Sequence, residues 1–288
     1  MRWTLLALLA VAVISLFPND ALAWTPGTHI YLAERIISGA SLVPGYVGEL
    51  IRAFPYDYLY GSIAADTSFA KKYAPAGRHP HAWHVAQEIH DQAESDALRA
   101  FGLGYLSHLA ADVIAHNHFV PRQLVLSRGP SGVAHAYWEA RIERVLGHRY
   151  SREAMDLLRM DHTPADRLLD TVLSPTIFSI PNNRRIFRGM VRIADQRSYQ
   201  ATLRLAEDFS GVALTEEDVG RHLEQSRDAI VAMLAEQDAK IREFDPSGDK
   251  ALKEARYVRK ELLQLGASDL GRLRAEAEKR FGLPVVRR

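Results

Sequence analysis

The chain has 288 residues, 36 Lys+Arg against 35 Asp+Glu, and no cysteine. A formal charge of +1 speaks against a strongly electrostatic partner such as duplex DNA. The lack of cysteine excludes disulfides, thiolate metal sites and cysteine nucleophiles, so any metal must be held by His, Asp, Glu or backbone groups. Residues 1–23 read as a secretory signal: Arg2 is the positive start, Thr4 to Phe17 the apolar stretch, and Ala21-Leu22-Ala23 an A-x-A cleavage site. That stretch falls short of the about 20 residues needed to span a membrane. The mature chain is therefore expected to be exported, periplasmic or secreted, and to begin at Trp24 with a free α-amino group.

The remaining pattern is helical almost throughout, and an all-α fold is expected. Leu32, Ala33, Ile36 and Ile37 follow His29 at helical spacing, with Thr28 as a candidate N-cap. Val47 to Phe54 reads as a second short helix. Residues 68–82 carry two prolines and a glycine and read as a loop, followed by a helix from Val85. Ala97 to Ala115 is a long, almost wholly apolar helix, expected to end in a loop leading to Pro121. Ser131 is a candidate cap for a helix holding His135 to Leu146. Beyond His148, residues 152–172, 185–208, 215–242 and 249–280 read as charged amphipathic helices. The organisation expected is a signal over 1–23, a catalytic region over 24–150 and a helical C-terminal region over 151–288 that completes or covers the bundle. Asp245 to Arg288 holds 11 Lys+Arg against 7 Asp+Glu. Such a mixed run is ordinarily a solvated helical surface, and its sharper reading is transient contact with anionic lipid headgroups.

Ten of the 12 histidines lie between His29 and His148. Between Phe101 and Ala115 the only strongly polar side chains are Ser107, His108 and Asp112. A helix apolar on nearly every face is buried, and a buried carboxylate needs a positive partner. No Lys or Arg within this helix provides one. His108, Asp112 and His116, at i, i+4 and i+8, share one stripe, and a divalent cation facing that stripe would compensate the charge. His135 and Glu139 repeat the His-x3-carboxylate spacing on a second helix, the arrangement by which helical bundles assemble metal sites. Asp66, in the apolar setting YGSIAADTSF, adds a third carboxylate, and His79 and His81 follow on the loop. These groups exceed the needs of one tetrahedral ion, so two or three are expected.

In that order, Trp24, His29, Asp66, His81, His108, Asp112, His116, His135 and Glu139 resemble the zinc-dependent phospholipase C family. They also resemble its relatives, the three-zinc single-strand nucleases and the N-terminal domain of glycosylphosphatidylinositol-specific phospholipase D. The resemblance implies that the α-amino nitrogen and carbonyl oxygen of Trp24 bind one zinc together with His29 and one oxygen of Asp112. It implies a second zinc on Asp66, His81, His108 and Asp112, and a third on His116, His135 and Glu139. Secreted phospholipases place five residues between the helix Asp and the next His, which selects His118. A shorter branch uses H-x3-D-x3-H, which selects His116, the residue on the stripe. His79 is the alternative to His81. His84, His90, His148, His162 and His222 read as surface or hydrogen-bonded histidines.

The expected function is an exported zinc-dependent phosphodiesterase, a hydrolase of phospholipase C type acting on phospholipid, with Asp66 positioning or deprotonating the attacking water. A single-strand nuclease of the same fold and a non-catalytic, metal-stabilised binding protein are the alternatives. His/carboxylate ligands also suit manganese or iron.

Overall fold

The structure, a computed structural model, describes residues 24–68, 71–127, 138, 141–143, 145–176, 178–194, 214–235, 240–264 and 270–283. Every regular element among these residues is helical: α1 (Pro26–Ser38), α2 (Gly45–Ala53), α3 (Pro55–Ala64), α4 (Trp83–Asp91), α5 (Asp96–Ile114), α6 (Val120–Leu126), α7 (His148–Leu157), α8 (Thr163–Val172), α9 (Ile180–Ala194), α10 (Glu216–Ala235), α11 (Asp249–Gln264) and α12 (Leu270–Phe281), with short 3-10 turns between some of them. No helix among the described residues is long and apolar enough to cross a membrane. The signal segment, residues 1–23, lies outside the described residues.

The all-apolar helix becomes the axis of the bundle. Ser95 caps α5, its hydroxyl accepting from the Leu98 N–H at 3.3 Å, and every residue from Ala100 to Ile114 is buried. Helices α3, α4 and α10 surround it. The approach of α3 is close because glycines face each other. A Cβ on Gly61 would collide with the Phe101 carbonyl, and one on Gly104 with the Tyr58 carbonyl. Beside this seam the Tyr58 hydroxyl meets the Ser107 hydroxyl at 2.9 Å. The fold therefore brings α3 and α5 near enough for groups at their ends to share one centre.

Local chemistry moves several boundaries. Helix α1 begins two residues before Thr28, with Pro26 in its first turn, where its missing N–H costs nothing. Thr28 is thus inside the helix, its hydroxyl 3.1 Å from that of Thr25. The expected second helix ends at Ala53, and Pro55 starts the separate α3. No loop precedes Pro121. Instead, Ala115–Phe119 forms a π-helical turn that runs on into α6, where Pro121 occupies the first turn. The segment 152–172 divides into α7 and α8, with Pro164 in the first turn of α8. The segment 249–280 likewise divides into α11 and α12. Residues 128–137 and 195–213, including the Ser131 cap and part of the helix expected over 185–208, are outside the described residues.

Candidate metal centre

The centre is built where α1, α5 and the chain after α3 converge. His29 comes from α1, one turn past its start, and Asp66 lies in the 3-10 turn Ala65–Thr67 that follows α3. His108 and Asp112 are neighbours on α5. His81 is delivered by the loop before α4, which is tied to α5 by the Tyr105 hydroxyl donating to the Pro80 carbonyl at 2.8 Å. The four-residue spacing on a helix sets two groups on one face, and only tertiary packing supplies the other three.

Asp112 is the hub. Its Oδ1 lies 3.2 Å from His29 Nε2, and its Oδ2 lies 3.0 Å from His81 Nε2 and 3.3 Å from His108 Nε2. The His81 and His108 Nε2 atoms are 3.2 Å apart, and the His29 and His108 rings stack at 3.9 Å between centroids. Asp66 Oδ1 lies 3.4 Å from His81 Nε2 and 3.8 Å from His108 Nε2. All five residues are buried. His108 is oriented from behind, with Nδ1–H donating to the Ser62 carbonyl at 2.8 Å, so that Nε2 faces the carboxylates.

Charge in this enclosure is strongly redistributed. Burial alone would raise Asp112, but His108 and the other imidazoles outweigh it and hold the carboxyl well below its usual range. Asp66 is likewise lowered, with Lys71 and then His108 and His81 overcoming burial. Burial opposes the charged form of His108, yet Asp112 and Asp66 together raise it above its usual value. His29 goes the other way: burial, then repulsion from His108, lowers it to about 4.

Hydrogen bonds do not complete this cluster. His29 Nε2, Asp66 Oδ2 and both oxygens of Asp112 are buried without a hydrogen-bond partner. Stranded buried polar atoms are costly and rare, and two of these, His29 Nε2 and Asp112 Oδ1, lie 3.2 Å apart. Donor atoms of His29, Asp66 and His108 lie within 4.8 Å of each other, as do those of His81, His108 and Asp112. Neutral imidazole and carboxylate oxygen are the ligand types zinc accepts, so the residues present fit the metal that the sequence leads one to expect.

The other expected ligands are placed as follows. The Trp24 indole is fully buried; its Nε1–H lies 3.1 Å from the Ala111 carbonyl and 3.2 Å from the Ser226 hydroxyl, beside Asp112. His116 lies in the π-helical turn, buried, with Nδ1–H donating to the Pro246 carbonyl at 2.6 Å. His118, the alternative, directs Nδ1 to the Gly282 carbonyl at 3.1 Å. His79 accepts the His81 backbone N–H on Nδ1 at 3.1 Å, and burial, then His81 and Lys71, lower it to about 3. His135 and Glu139 lie outside the described residues. His162 and His222 are buried on backbone carbonyls, those of Leu157 and Asp218.

Two groups in the centre escape sequence reasoning. The buried ammonium of Lys71 donates to Asp66 Oδ1 at 2.7 Å and lies 3.2 Å from His81 Nε2. A buried carboxylate needs a cation, and Lys71 is the nearest lysine along the chain to Asp66. The second is the turn at Pro246–Gly248, which closes over His116. A sequence with no motif near residue 246 gives no sign of that contact.

A family model described as zinc dependent phospholipase C matches residues 28–180, more than half of the 288 residues. No curated protein and no solved structure matches the chain.

Proposed function

Since the chain belongs to the zinc-dependent phospholipase C family, we propose that it is an exported phosphodiesterase that hydrolyses phospholipid on the glycerol side of the phosphate. The observation that carries this reading is the pair of stranded Asp112 oxygens, one facing His29 and the other His81 and His108. Asp66, His81, His108 and Asp112 would hold one zinc; Trp24, His29 and the other oxygen of Asp112 a second; His116, His135 and Glu139 a third. When bound, clustered zinc ions supply a nucleophile at neutral pH and neutralise charge on the phosphoryl oxygens.

The chain's own groups have separate tasks in this scheme. His108 is kept in one ring orientation by Ser62, so its Nε2 needs no reorganisation to serve as a ligand. Asp66 is kept ionised by its surroundings, and its buried Oδ2 has no partner. That oxygen is the one that would position or deprotonate the attacking water. The apolar bodies of Trp24, Tyr105 and Phe119 exclude bulk water from the floor of the centre. Export and cleavage before Trp24 would free its α-amino group and thereby complete the site.

The test uses purified mature protein with its zinc quantified, assayed on phosphatidylcholine vesicles, single-stranded DNA and a generic phosphodiester. Hydrolysis of the vesicles is expected, abolished by a chelator and by His108→Ala. Turnover of single-stranded DNA alone would replace the phospholipase reading with the nuclease. Full zinc occupancy with no turnover would leave a metal-stabilised binding protein. A version retaining one extra residue before Trp24 is expected to lose zinc and activity; unchanged values would remove Trp24 from the ligand set.

A further inference from the structure

We infer that Lys71 is a built-in cation within the donor set, a charge with which bound zinc must compete. The inference rests on reading the cluster as a zinc centre. Lysine is almost never fully buried unless paired, and Lys71 is only 5% exposed. Its partners are not bystanders. The ammonium lies 2.7 Å from Asp66 Oδ1 and 3.2 Å from His81 Nε2. That same His81 nitrogen lies 3.0 Å from Asp112 Oδ2 and 3.2 Å from His108 Nε2, so Lys71 stands within the donor set.

Zinc bound through His81 Nε2 would set its charge against the ammonium that lies 3.2 Å from the same nitrogen, so the ammonium must withdraw from it. If the ammonium stays on Asp66 instead, a single positive charge faces a divalent one in a medium of low dielectric, where repulsion is large. By either route the centre binds zinc more weakly than the same ligands would without Lys71. In return, the ammonium pairs a buried carboxylate that would otherwise lack a cation of the chain's own. Lys71 begins the short 3-10 turn Lys71–Tyr73, outside the helices that carry His29, His108 and Asp112. Its withdrawal therefore need not disturb them. The consequence is a centre whose zinc affinity is set below what its His and carboxylate ligands alone would give.

The experiment compares chelator-stripped full mature protein with Lys71→Met, Lys71→Gln and Lys71→Arg. Zinc affinity is measured by competition with a chromogenic chelator, and the metal-free thermal midpoint by circular dichroism. Removing the charge is expected to lower the metal-free midpoint while tightening zinc binding at least tenfold. Lys71→Arg, which keeps the charge, is expected to show no tightening. Lys71→Gln keeps a hydrogen-bond donor for Asp66 and carries the comparison if Lys71→Met does not fold without metal. A merely structural or ligand-supporting lysine would give weaker zinc binding in both neutral variants, and unchanged or weaker affinity there overturns the inference. Should the unmodified protein bind no zinc, the metal-centre reading itself falls and this one with it. Zinc bound normally by the parent but no tighter by the neutral variants removes only the role of Lys71.

Discussion

Asp112 has neighbouring imidazoles on both carboxylate oxygens and a hydrogen bond on neither. Without metal, its negative charge and that of Asp66 are what lift His108 against the effect of burial. Asp112→Asn removes the larger of those two influences, so burial should prevail. In metal-free protein the His108 imidazole is expected to titrate below its usual value, followed by the pH dependence of its NMR signals. A His108 that still titrates above its usual value would contradict the central place given to Asp112. The same variant should lose most of its bound zinc, since in the proposed assignment this one carboxylate would serve two ions. The charge of Lys71 acts at this scale too: it is one side chain, and its removal should change zinc affinity and metal-free stability in opposite directions.

The element that decides the position of His116 is the π-helical turn Ala115–Phe119 together with the turn that packs on it. A π-turn inserts a residue into the helical register, so the stripe through His108 and Asp112 does not continue unchanged to His116. The ring is held by Pro246, whose carbonyl accepts from Nδ1 at 2.6 Å. Asn117 ties the same turn down, its side-chain amide donating to the Asp245 carbonyl at 2.9 Å. Gly248 has φ +62 and lies against the His116 backbone and Cβ, where a Cβ of its own would collide. Gly248→Ala therefore faces both a left-handed backbone and a steric clash, a cost of about 1–3 kcal/mol. The expected outcome is a lower thermal midpoint and less bound zinc, read by metal analysis. Retention of full zinc content would show that the turn does not position His116.

For the whole molecule, the second half of the chain is part of the structure around the site. Helix α10 packs along α5, and α11 and α12 pack on α6. Ser226 of α10 lies beside the Trp24 indole nitrogen, and His222 lies edge-on to Phe119 at 5.2 Å. His222 is also a lever on global stability. Burial, against partial compensation from the Asp218 carbonyl, lowers it from 6.5 to about 4. The folded state therefore holds His222 neutral where the unfolded chain would protonate it. Stability is full above pH 6.5 and is lost progressively as pH falls towards 4, by on the order of 3 kcal/mol from this group. His222→Gln is expected to flatten that part of the stability–pH curve, measured by urea denaturation of metal-free protein. An unchanged slope between pH 6.5 and 4 would assign the acid sensitivity to other groups.

Much of this protein was legible before any packing was known. An unbroken apolar run with one carboxylate and one histidine forces burial of both, which pointed to α5 as the axis. The 3.6-residue pattern, with no strand-like alternation of useful length, gave the all-α class. The order of tryptophan, histidines and carboxylates gave the family, because ligand type and spacing are written along the chain. Helix starts at Pro26, Pro55 and Pro164 were misplaced or missed, since proline at a first turn initiates a helix as readily as it ends one. Lys71 and Pro246–Gly248 could not be placed by pattern. Their partners are set by where a loop and a distant turn land, and a hydrogen bond between residues 130 apart leaves no periodicity in the sequence. The sequence by itself determined which chemistry the chain carries. Tertiary structure alone decided which side-chain cation meets Asp66 and which backbone carbonyl aims His116, because burial and direction are properties of the packed chain.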